Sequence, residues 1–90
     1  MHSYLLPLHD TLTQNRDPEK AIPMQEYMRD KFQYLGIKAP QRKEILKGFL
    51  QEYGLPPLDQ LDAISRDLWE MPEREYQYVA MGILERMKKR

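Results

Sequence analysis

Apolar residues recur along this chain at intervals of three and four and hardly anywhere in strict alternation, a pattern that predicts helices and no strands. Tyr4, Leu5, Leu8 and Leu12 form a first short stripe, with Pro7 in its opening turn or at a bend. Asp17 and Pro18 then mark a second start: an aspartate can accept from the free N–H groups of a first turn, and proline lacks an N–H to leave unpaired there. Glu19 follows, at the positive end of the helix dipole. Met24, Tyr27, Met28, Lys31 and Phe32 continue that helix, and Pro23 is expected to kink or split it. Gly36 reads as the stop and Pro40 as the first turn of the next helix, leaving Gly36 to Ala39 as a tight connection. A third stripe, Ile45, Leu46, Phe49, Leu50 and Tyr53, closes at Gly54. Pro56 and Pro57 precede a fourth, Leu58, Leu61, Ile64, Leu68 and Trp69. After a break at Met71 and Pro72 comes the fifth and most regular: Tyr76, Val79, Ala80, Ile83, Leu84 and Met87.

About five helices joined by short links make the expected fold all-α, with residues 1–90 as a single helical-repeat domain. Helix, proline-marked break, helix is the rhythm of antiparallel pairs stacked as a HEAT-like α-solenoid, although no exact repeat occurs. Tyr78 and Met81 lie off the main stripe of the last helix, which implies burial between two layers. The chain then ends on ERMKKR without a polar capping repeat, so it reads as the N-terminal part of a longer solenoid. Solenoids need roughly three repeats for stability, so marginal stability is expected, or self-association through an exposed apolar face near Val79, Ile83 and Met87.

Charge changes this picture only locally. The 14 Lys and Arg balance the 14 Asp and Glu, so no global field draws the chain to nucleic acid or to a membrane. Between Gly36 and Gly48, however, Lys38, Arg42, Lys43 and Lys47 face the single acid Glu44. Lys43 and Lys47 share a helix face, while Lys38 and Arg42 flank a helix N-terminus whose unpaired N–H groups also attract anions. Two readings stand: a phosphate-binding site, or a solvated face on which Glu44 pairs Lys43 or Lys47. Glu73, Arg74 and Glu75 read as ordinary complementation of a helix dipole, and Trp69 and Tyr76 as core rather than stacking platforms. Absence of cysteine removes disulfides and thiolate metal sites, and His2 and His9 lack a ligand spacing, so neither metal nor cofactor is expected. There is no membrane-length apolar run and no leader pattern, which makes the cytoplasm the expected location.

Two longer segments carry a family resemblance. DPEKAIPMQEYMRDKFQYLGIKAPQRKEILK together with DLWEMPEREYQYVAMGIL resembles the start of the AlkD-type DNA alkylation repair proteins, DNA glycosylases built of HEAT-like repeats. The resemblance implies hydrolysis of the glycosidic bond of N3- or N7-alkylated purines in duplex DNA, held in a basic concave groove. Alkylation makes the base cationic and a good leaving group, so a carboxylate and a placed water suffice. It further implies Lys38, Arg42 and Lys43 as contacts to the DNA backbone. Ala39 departs from the family's usual Thr or Ser, so a helix cap and a hydroxyl contact are missing. No acid here matches the family's catalytic aspartate, which is expected beyond Arg90. The chain therefore reads as a DNA-binding segment inactive on its own. The alternative is a non-catalytic helical module that binds a protein partner or itself.

Overall fold

The structure, a computed structural model, describes residues 1–88; the last two residues of ERMKKR lie outside the described part. It is all-α, as expected: α1 (Leu6–Gln14), α2 (Pro18–Tyr27), α3 (Ala39–Tyr53), α4 (Leu61–Glu70) and α5 (Arg74–Lys88). Short 3-10 turns at Ser3–Leu5 and Leu58–Gln60 lead into α1 and α4. No described helix is long and apolar enough to cross a membrane.

Local chemistry explains most boundaries. Asp17 caps α2, its Oδ1 accepting the N–H groups of Glu19 and Lys20 at 3.1 and 3.2 Å, with Pro18 at the first helical position. Gly54 ends α3 at φ +76°, its N–H donating to the Leu50 carbonyl at 2.8 Å. His2 Nδ1 accepts the Tyr4 N–H and so opens the first turn.

The end of α2 differs from expectation. The helix stops at Tyr27, and Arg29 and Asp30 take left-handed conformations at φ +53° and +58°. The Asp30 N–H closes the end by donating to the Gln25 carbonyl at 2.7 Å. Gly36 is therefore not the stop; residues 28–38 form the connection, and Lys31 and Phe32 lie off the helix. Non-glycine residues rarely adopt this turn, so the usual glycine signal is missing. Pro23 is accommodated inside an unsplit α2.

One apolar core joins Leu5, Leu8 and Leu12 to Leu46 and Phe49 of α3, Ile64 and Leu68 of α4, and Tyr76, Val79, Ala80, Ile83 and Met87 of α5. Val79, Ile83 and Met87 were expected to form an exposed face and are instead 1%, 1% and 8% exposed. The chain buries this stripe itself, because α5 packs on both α4 and α3. Gly82 permits the approach to α3: a Cβ there would stand 2.9 Å from Leu46 Cδ2. Met81, expected between layers, faces solvent, and Trp69, expected in the core, is 45% exposed one position past Leu68. Only Ala21 of α2 is buried, and Ile22 and Tyr27 are exposed. α2 thus sits at the margin of the core, and a groove opens between it and α3.

Candidate functional site

That groove has a volume of about 600 Å³ and is lined by Pro23, Met24 and Tyr27 of α2, Met28 just past its end, Tyr34, Lys38, Ala39, Arg42 and Tyr78, with Lys20 at the rim. Its walls are apolar and aromatic, its charges are Lys20, Lys38 and Arg42, and no carboxylate lines it. A second depression of about 420 Å³ continues between α3 and α5, where Arg42, Lys43 and Arg86 meet Glu85. Arg42 and Tyr78 line both. The two depressions thus form one cationic track across three helices.

Of the four basic residues expected at a site, the fold brings Lys38, Arg42 and Lys43 onto this track, while Lys47, a turn beyond Lys43, lines neither depression. Among the described residues Glu44 pairs neither Lys43 nor Lys47, so the local ion pair expected for a merely solvated face does not form. Lys20 and Arg86 join the track from α2 and α5, helices distant in the chain, and nothing in their local spacing marked them. Lys20 also approaches Asp17 at 3.9 Å, an exposed pair of little consequence.

Arg42 is held by aromatic stacking. Its guanidinium carbon lies 4.7 Å from the centre of the Tyr78 ring. Arg74 approaches the same ring at 5.2 Å and lies 4.3 Å from the Phe32 ring, which gives a ladder of Phe32, Arg74, Tyr78 and Arg42. Arg74 Nη1 donates to Gln77 Oε1 at 2.6 Å, whereas its buried Nε has no acceptor among the described residues. Burial lowers the basicity of Arg42, but an arginine remains charged at neutral pH. Burial, and then a hydrogen bond with the Tyr78 hydroxyl, pushes the Tyr34 phenol up to about 12, so Tyr34 stays neutral beside the cations.

The N-terminus of α3 opens at this track. Its N-cap, Lys38, has extended backbone (φ −75°, ψ +161°) and offers no side-chain acceptor. The N–H groups of Ala39 and Gln41 have no partner among the described residues, and Pro40 has none to offer. The helix does lack a side-chain cap, but the capping position is Lys38 and not Ala39, from which the missing cap was inferred.

PEREY behaves differently from simple dipole complementation. Glu75 is wholly buried, and its carboxylate accepts the N–H groups of Leu35, Gly36 and Ile37 at 2.9, 3.0 and 3.2 Å. The two sequence segments that carried the resemblance are thus bonded to each other through this side chain. Beside them, the Arg74 N–H donates to the Gln33 carbonyl at 2.8 Å. His9 is occupied too, its Nδ1 lying 2.7 Å from the hydroxyl of the buried Tyr76.

The all-helical chain thus carries a carboxylate-free basic groove beside an uncapped helix end. The family model for DNA alkylation repair enzymes matches residues 8–90, nearly the whole chain. The protein belongs to that family. No curated protein matches the chain.

Proposed function

We propose that the track from Lys20 through Lys38, Arg42 and Lys43 to Arg86 binds the backbone of double-stranded DNA without regard to sequence. On this reading the chain is the DNA-binding segment of a glycosylase that releases N3- or N7-alkylated purines. The observation that carries it is the convergence of five basic side chains from α2, α3, α5 and the α2–α3 connection on one surface, with Glu85 the only acid among the described residues that line the two depressions. Lysines supply mobile point charges, the stacked Arg42 supplies a pre-oriented planar fork, and the free N–H groups of α3 can donate to a phosphate oxygen. No residue here is given a role in bond cleavage: Glu75 is buried and fully engaged, and neither depression places a carboxylate beside the free helix end.

Binding of a fluorescently labelled duplex, measured across a salt series, tests this. Arg42→Ala combined with Lys43→Ala is expected to weaken binding to all duplex sequences alike and to reduce the slope of log affinity against log salt by about two. Lys47→Ala should leave both nearly unchanged. Wild-type-like affinity and slope in the double variant would sink the proposal.

A further inference from the structure

The buried Glu75 is used by nothing in the reading above, yet it grips the approach to the site. Both carboxylate oxygens are engaged, Oε1 by the Leu35 N–H and Oε2 by those of Gly36 and Ile37. The same short segment is fixed from its other side. The Asp17 N–H donates to the Leu35 carbonyl at 2.8 Å, and Gly36 lies so close to Asp17 that a Cβ would stand 1.9 Å from its carbonyl oxygen. Residues 35–37 are therefore pinned between the cap of α2 and the first turn of α5. Ile37 is 0% exposed, and the next residue is Lys38, the N-cap of α3. Two of the free N–H groups lie within the following three residues.

We propose that Glu75 is a positioning residue for the anion site: without touching DNA, it sets the place of Lys38 and of the opening N–H groups of α3. This inference rests on the reading of the groove as a DNA surface. Charge gives it a sign that no other role shares. Removing an acid near a DNA surface raises affinity by long-range electrostatics, whereas releasing the 35–37 segment lowers it. Loss of fold stability alone changes neither, once binding is measured where the variant is fully folded.

The test is duplex binding by Glu75→Gln, at a temperature where circular dichroism shows both proteins fully helical. Glutamine keeps the size but opposes an amide NH2 to at least one main-chain N–H. The expected result is binding about tenfold weaker. Lys38→Ala should then weaken the Glu75→Gln protein less than about twofold, having weakened the wild type several-fold, while Lys43→Ala weakens both backgrounds equally. Unchanged or tighter binding by folded Glu75→Gln, or losses that simply multiply with Lys38→Ala, would overturn the inference while leaving the groove reading intact. Failure of the wild-type chain to bind any duplex would overturn both. Should Glu75→Gln not fold, Glu75→Asp keeps the charge, shortens the reach by one methylene and carries the same comparisons.

Discussion

Gly36 stands at φ +95°, a conformation that side chains with a Cβ rarely adopt, with the Asp17 carbonyl where that Cβ would be. Backbone cannot give way as a flexible side chain does, so the strain and the clash add. Gly36→Ala is expected to destabilise the fold by about 3 kcal/mol or more. A denaturant melt checks this, and a change under about 1 kcal/mol would show that the loop relaxes away from α2. Residue-scale chemistry also separates Arg42 from the lysines of the track. Arg42 is held over an aromatic ring, while Lys38 and Lys43 extend into solvent. The fork of Arg42 is thus ordered before a ligand arrives, which reduces the entropy lost on binding.

At the scale of elements, the proposed DNA-binding role has α3 trading stability for a free anion site. Lys38 occupies its N-cap with suitable extended backbone but no acceptor. Lys38→Ser supplies one, which can take the Gln41 N–H. The variant is expected to gain about 0.5–1 kcal/mol of stability, read as a higher melting temperature, and at the same time to bind duplex DNA several-fold more weakly. Loss of stability together with loss of binding would mean that Lys38 supports the fold. α2 shows a related compromise. Its apolar positions bury only Ala21, so the helix is fixed chiefly through its Asp17 cap and the 28–38 connection, and that marginal position is what leaves the groove open.

On the scale of the whole molecule, a chain of 90 residues has little stability to lose, and nearly all of its apolar burial lies in one cluster. Ile83 is at the heart of it, 1% exposed. Ile83→Asp places an uncompensated charge among Leu and Val side chains and is expected to unfold the protein, seen as loss of helical circular dichroism. A helical, soluble Ile83→Asp variant would instead place that stripe on the surface, where a partner-binding module needs it. The five helices were legible because their burial follows a period of 3.6 residues, and the Asp17, Pro40 and Gly54 boundaries because capping is a matter of near neighbours. Trp69 and Tyr27 were misjudged because helical spacing specifies which residues share a face, not how far a neighbouring helix reaches across it.

The sequence by itself determined the all-α class, most helix ends, the family and the local cluster of Lys38, Arg42 and Lys43, all of them properties of residues within a few turns of one another or of ordered motifs. Only the tertiary structure decided that Lys20 and Arg86 join that cluster and Lys47 does not, that Val79, Ile83 and Met87 are core, and that Glu75 clasps residues 35–37. Each of those depends on contacts between segments far apart in the chain, and which segments meet is set by the packing of all the helices together rather than by spacing along any one of them.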